Sequence, residues 1–131
     1  MLQRARRAGA SIVQSHLLDR AAAIRPLVGT ADRLLLDVPC SGLGTLRRSP
    51  QLKWRLQPAF LEELLRTQQE ILAQYAPICK VGGRLCYATC SILPSENQAQ
   101  VQQFLGSDVG AGFRLLKEET LLPQVGFDGF Y

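Results

Sequence analysis

Arg33-Leu34-Leu35-Leu36-Asp37-Val38-Pro39-Cys40-Ser41-Gly42 is a nearly unbroken apolar run that ends on a proline, a thiol, a hydroxyl and a glycine. Arg33 to Val38 has the pattern of a strand buried on both faces, as in a parallel sheet covered by helices. A second stretch has the same form: Arg84 to Thr89 reads as a strand, and Cys90-Ser91 follows it directly. Between them Pro58 opens a long amphipathic helix, with Leu61, Leu64, Leu65, Leu72, Tyr75 and Ala76 on one stripe and Glu62 and Glu63 near its positive end. The alternation of strand and helix predicts a doubly wound α/β sheet. In open sheets of this kind ligands bind beyond the carboxyl ends of the strands, so Cys40 and Cys90 are expected to look into one cleft.

Working outward, residues 1 to 8 read as the end of a helix stopped by Gly9, and Ser11 to Leu18 as a strand closing on Asp19. Ala21 to Val28 is expected to be a short link broken by Pro26 and Gly29. Pro77 is expected to kink the long helix, and Gly82-Gly83 to end it before the next strand. Pro94 opens a further helix in which Val101, Phe104 and Leu105 pack inward and which Gly106 ends; Glu96 and Asn97 are expected to cap or stabilise it. Phe113 to Lys117 reads as a strand, and Phe127 to Tyr131 as the start of another.

The 131 residues, 47% hydrophobic and 20% charged, read as one globular domain rather than a disordered tail. No apolar run reaches the roughly 20 residues of a membrane helix, and Met1 to Arg7 lacks the apolar stretch of a signal peptide. The expectation is a cytoplasmic protein with no membrane partner. Four cysteines, at 40, 79, 86 and 90, include no CxxC pair, and His16 is the single histidine. That spacing argues against a metal site and against a thiol redox protein. Cys79 and Cys86 are expected to be small buried hydrophobes, one late in a helix and one within a strand. His16 is expected to face outward and to take no part in catalysis.

The net charge of +4 is unevenly spread: residues 1 to 55 hold ten Arg/Lys against three Asp/Glu, and residues 56 to 131 hold five against eight. Such asymmetry points to a polyanion-facing side. Its densest part is Leu46-Arg47-Arg48-Ser49-Pro50-Gln51-Leu52-Lys53-Trp54-Arg55, in which cations interleave with the only tryptophan. Cations neutralise phosphates and an aromatic ring stacks on a base. The bland alternative is a solvated basic loop with Trp54 tucked onto the core.

Taken together, Asp37-Val38-Pro39-Cys40-Ser41-Gly42-Leu43-Gly44, Arg47-Arg48-Ser49-Pro50, Lys53-Trp54, Gly82-Gly83, Ala88-Thr89-Cys90-Ser91, Pro94-Ser95-Glu96-Asn97 and Asp128-Gly129-Phe130-Tyr131 resemble the RNA 5-methylcytosine methyltransferases, in particular the bacterial Sun (Fmu) rRNA enzymes. The resemblance implies a Rossmann-like class I methyltransferase fold of the α/β class, here the carboxyl-terminal portion of the doubly wound sheet. It implies that Cys90 is the nucleophile that adds to carbon 6 of cytosine. Carbon 5 then becomes electron-rich enough to take a methyl group from S-adenosylmethionine. It implies that Cys40 helps resolve the covalent adduct, and that Asp37 hydrogen-bonds the cytosine and borders the cofactor. It places Asp19 and Pro39 with Asp37 on the cofactor side; Arg47, Arg48, Lys53 and Trp54, from the basic stretch, are the residues expected to face RNA.

The chemistry is sound without the family label. Pyrimidine carbon 5 is a poor nucleophile, and covalent addition of a thiolate divides one hard step into easier ones. The target base must be unpaired or flipped for a thiol to reach carbon 6. The family's glycine-rich cofactor turn has no counterpart in residues 1 to 30, so residues 1–131 are expected to form a partial S-adenosylmethionine-dependent catalytic domain. Two readings follow: an RNA cytosine-5 methyltransferase, acting on rRNA, or a non-catalytic RNA-binding or partner-docking module. Strand edges without neighbours are expected to favour self-association.

Overall fold

The computed structural model describes residues 2–17 and 21–131. Its helices are α1 (Leu2–Arg7), α2 (Ala21–Ile24), α3 (Leu52–Arg55), α4 (Pro58–Tyr75) and α5 (Gln98–Leu105), and its strands β1 (Ala31–Asp37) and β2 (Cys79–Ala88). The two strands pair in parallel, with Leu35 opposite Cys86 and Asp37 opposite Ala88. A parallel pair needs a crossover long enough to return the chain to the same edge, and α4 supplies it.

Pro58 sits in the first turn of α4, where its missing N–H would have had no intrahelical partner. The helix stops at Tyr75 because Pro77 has no N–H with which to continue the ladder. A single 3₁₀ turn, Ala76–Ile78, then leads into β2. The apolar stripe expected from the sequence faces inward: Leu72 and Ala76 meet Leu36 and Val38 from β1, Tyr87 from β2 and Phe104 from α5 in one core. Packing α4 and α5 on one side of the strands fixes the sheet against them and leaves the carboxyl ends of β1 and β2 side by side.

Several expectations are corrected. Gly82-Gly83 does not end the helix but lies inside β2, where the pairing jumps from Ala31–Cys79 to Arg33–Arg84. Gly82 has φ 77°, and a Cβ on Gly83 would lie 2.8 Å from Cys79 Sγ. The pair therefore forms a bulge that only glycines accommodate. Cys79 accordingly begins a strand rather than closing a helix. β1 is covered on one face only: Leu34, Leu36 and Val38 turn to the core, whereas Leu35 is 64% exposed and Cys86 beside it is exposed as well. Both packing helices lie on the same side.

Residues 11–17 form no strand and are exposed throughout, His16 included; Leu18 and Asp19 lie outside the described residues. Phe113 to Lys117 likewise forms no strand, although Phe113 packs on Phe104 with ring centroids 5.4 Å apart. A strand exists only when a neighbour accepts its backbone hydrogen bonds, and neither segment has one in the described residues. Phe127 to Tyr131 takes part in antiparallel bridges, Leu121 with Phe130 and Gln124 with Phe127. Tyr131 and Thr89 exchange backbone hydrogen bonds of 3.0 and 3.1 Å, which carries this segment up to the end of β2. Pro94 opens a turn, and α5 begins only at Gln98.

Candidate active site

β1 delivers Cys40 and β2 delivers Cys90 to the same place: the two Sγ atoms are 3.1 Å apart, and both thiols are free and half-buried. A disulfide bond would need about 2.0 Å, so this is a contact between two reduced sulfurs. The burial of Cys40, reinforced by its hydrogen bond to Cys90, pushes its thiol up to about 12. Cys40 therefore stays protonated across the neutral range, and either sulfur can be the donor in the contact between them.

Each thiol is followed by a serine, and the two hydroxyls meet over one carboxylate. Ser41 Oγ and Ser91 Oγ both donate to Glu96 Oε2 at 2.5 Å. Oε1 accepts from the Ser41 N–H at 2.8 Å and from Gln68 Nε2 at 3.1 Å. Gln68 also donates to the Pro39 carbonyl at 3.0 Å. Glu96 has no exposed surface, and a buried carboxylate is tolerable only with such a set of donors. Its own carbonyl accepts from the buried Tyr87 hydroxyl at 2.7 Å; burial, with the nearby Glu96 charge second, raises the Tyr87 hydroxyl well above its ordinary range and keeps it a donor.

The expectation that Glu96 and Asn97 cap or stabilise their helix is thus corrected for the side chains only: Asn97 holds the N-cap position, and its carbonyl accepts from the Val101 N–H at 3.2 Å. Asn97 makes no side-chain bond to the start of α5. Instead Asn97 Oδ1 accepts from Thr89 Oγ1 at 2.6 Å and its Nδ2 donates to the Ser91 carbonyl at 3.0 Å. Both side chains point back across the turn because Pro94 to Asn97 is not yet helical. Sequence reasoning missed this cluster, although the repeated Cys-Ser dipeptide at 40–41 and 90–91 was a visible signal.

Gly44 closes the site from the other side. Its N–H donates to the Cys90 carbonyl at 2.9 Å, and its carbonyl accepts from the Gly129 N–H at 2.7 Å. The Cys40 loop, the Cys90 turn and the 121–131 hairpin are thereby linked through three backbones.

Asp37 ends β1 with its side chain exposed, so water satisfies it and no burial cost arises. Pro39 is exposed beside it. Trp54 stands on the short helix α3, 75% exposed, with Lys53 Nζ 4.7 Å from its ring centroid; it is not tucked onto the core. Arg48 pairs with the largely buried Asp128 at 2.6 Å, and Arg47 donates to the Gly126 carbonyl at 3.5 Å. The basic loop is therefore pinned to the hairpin rather than free. Among the described residues no group of three His, Cys, Asp or Glu is placed to hold a metal ion, and no helix is long and apolar enough to cross a membrane.

Parallel strands, an α4 crossover and a pair of thiols at the strand ends define the class: the fold is the Rossmann-like fold of methyltransferases. Two solved structures share it, one described as the crystal structure of PH0851 (TM-score 0.73, 37% identity, 79% of this chain and 24% of that one). The other is NSun6 from Pyrococcus horikoshii with SFG (TM-score 0.73, 25% identity, 99% and 36%). Residues 3–124 match the model of the 16S rRNA methyltransferase RsmB/F family, and the chain belongs to that family. It is 54% identical over 82 residues to the probable ribosomal RNA small subunit methyltransferase B of Synechocystis, covering 63% of this chain and 18% of that protein. It is 46% identical over 106 residues to ribosomal RNA small subunit methyltransferase B of Pectobacterium carotovorum, covering 76% and 25%. The chain thus spans about a fifth to a quarter of the length of these curated relatives.

Proposed function

We propose that residues 1–131 are a portion of the catalytic domain of an enzyme that methylates carbon 5 of cytosine in ribosomal RNA. The observation that carries this reading is the thiol pair, 3.1 Å apart at the ends of two adjacent parallel strands, in a chain whose relatives are named for methylation of small-subunit rRNA. Cys90 forms the bond to carbon 6 of the cytosine. As carbon 5 gives its proton to solvent and its electron pair closes the carbon 5–carbon 6 double bond, the carbon 6–sulfur bond breaks, and Cys40, held as a thiol against that sulfur, donates a hydrogen bond to the departing Cys90 thiolate. Asp37, exposed at the end of β1, hydrogen-bonds the base and, with Pro39, borders the cofactor.

The exposed carboxylate of Asp37 and the exposed Pro39 fit one wall of a cofactor site that lies across the strand ends. S-adenosylmethionine, when bound there, supplies the methyl group. Asp19 is assigned to the adenine side on the family resemblance. The P. horikoshii neighbour bearing SFG, an S-adenosylmethionine analogue, supports the assignment of cofactor.

The test uses a chimera in which this chain replaces the matching quarter of the P. carotovorum relative. Methyl label from S-adenosylmethionine is expected on carbon 5 of a 16S rRNA cytosine. The 131 residues alone are expected to bind the cofactor far more weakly than the chimera by calorimetry, since residues 1 to 30 offer no glycine-rich turn. A folded chimera that binds the cofactor yet transfers no methyl overturns the reading in favour of a binding module. The uncovered sheet face around Leu35 favours self-association of the short chain, which sedimentation reads directly.

The RNA lies along the 47–54 segment, where Lys53 and Trp54 are exposed and Arg47 and Arg48 are steadied by the hairpin. Replacing Arg47, Arg48 and Lys53 together by alanine weakens binding to unrelated single-stranded RNAs and lowers the salt slope by about 0.7 for each phosphate that is no longer neutralised. Trp54→Ala removes about 1 to 3 kcal/mol of stacking and leaves the slope unchanged. An unaltered slope in the triple variant places the RNA surface elsewhere.

A further inference from the structure

We propose that Glu96 is a positioning residue: its buried carboxylate clamps the Cys40 turn to the Cys90 turn and thereby sets the separation of the two thiols. The inference deepens the proposed function and rests on it only for the meaning of the pair.

The geometry is specific to the thiols' neighbours. Ser41 and Ser91, one residue beyond each cysteine, both reach Oε2, and the Ser41 N–H reaches Oε1. The residue before Cys40 is held through Gln68, which bridges the Pro39 carbonyl and Oε1. Thr89, the residue before Cys90, is held by Asn97, the next residue after Glu96. Both flanks of both cysteines are therefore anchored on one turn, and that turn is fixed to the sheet by the Tyr87 hydroxyl.

A buried charge is a poor way to gain stability, since an apolar side chain of similar volume usually does as well or better. It is a good way to fix geometry. A carboxylate offers two oxygens in one plane, and each hydrogen bond to it is shorter and stronger than one between neutral groups. Here all four donors to the carboxylate come from the two cysteine-bearing turns' serines and from α4. Removing the charge loosens the link between the turns while leaving each strand in place.

The separation can be read without RNA or cofactor. In a glutathione buffer, Cys40 and Cys90 each give up a proton and together two electrons, forming one disulfide bond, while one oxidised glutathione is reduced to two thiols. The equilibrium constant reports the effective concentration of one thiol at the other, followed by mass spectrometry of the Cys40–Cys90 cross-linked peptide. Glu96→Gln, which keeps the volume and removes the charge, is expected to lower that constant by at least about tenfold, the factor that matches loss of a hydrogen bond to a charged group. If Glu96→Gln does not fold, the double variant Ser41→Ala, Ser91→Ala is expected to show the same fall.

Ile24→Val loosens a buried site outside the core cluster that contains Tyr87 and is expected to stay within about twofold of the parent protein. A folded Glu96→Gln protein with an unchanged equilibrium overturns the proposal. A fall as large in Ile24→Val does so too, because it marks a general loss of stability. Failure of both clamp variants to fold makes the cluster a folding element and also overturns it. None of these results bears on methyl transfer, which the chimera tests separately.

Discussion

Cys90→Ala, tested in the chimera, abolishes methyl transfer and leaves no protein–RNA adduct, whereas Cys40→Ala accumulates a stable adduct. The asymmetry follows from the proposed division of labour between sulfurs only 3.1 Å apart. Without the Cys90 sulfur no bond to carbon 6 forms, carbon 5 stays a poor nucleophile, and nothing is trapped. Without Cys40 the bond forms, but the group that assists release is missing. Cys40 suits that role because burial, with the hydrogen bond to Cys90, holds its thiol up to about 12. It therefore remains an S–H throughout the neutral range instead of competing as the attacking thiolate. The expected slowing of release is about 10²- to 10³-fold, the usual effect of removing one donor aimed at charge that develops in the transition state. Denaturing gels with labelled cytosine RNA separate the two variants. Equal adduct in both would remove the role assignment, and adduct in Cys90→Ala alone would reverse it.

Gly44→Ala is the second substitution with a large expected effect. A Cβ there would overlap the Gly129 carbonyl oxygen and stand 2.7 Å from its carbon and 2.9 Å from the Cys90 carbonyl oxygen. All three are backbone atoms of segments already tied to Gly44 by hydrogen bonds on both sides, so no side chain can swing away to make room. Overpacking costs about 1 to 3 kcal/mol where neighbours relax, and more where they do not. The 121–131 hairpin is expected to detach, taking with it Asp128, the anchor of Arg48. Gly112→Ala is the control, since nothing lies within 4 Å of its added Cβ, and it should fall within about 0.5 kcal/mol of the parent. Urea unfolding gives the loss of stability, and amide exchange at Thr89 and Tyr131 reports the detachment. A Gly44→Ala protein as stable as Gly112→Ala would show that the three backbones are not packed as described.

What the amino-acid sequence determined by itself is whatever depends on near neighbours along the chain. The apolar run before Cys40 makes β1, and the stripe from Leu61 to Ala76 behind Pro58 makes α4. Their order requires a parallel pair, which brings Cys40 and Cys90 to the same end of the sheet. Family membership was legible in the same motifs. The tertiary structure alone decided everything that depends on a partner remote in sequence. Residues 11–17 and 113–117 have the composition of strands but form none in the described residues, because a strand is defined by a neighbour's hydrogen bonds and not by its own side chains. Gly82-Gly83 looked like a helix stop and became a bulge, since the choice depended on the register against Ala31 and Arg33. Glu96, close in sequence to a helix start, looked like a cap. Its four donors arrive from residues 5, 28 and 55 positions away, and only the folded chain brings Ser91, Gln68 and Ser41 together around one buried carboxylate.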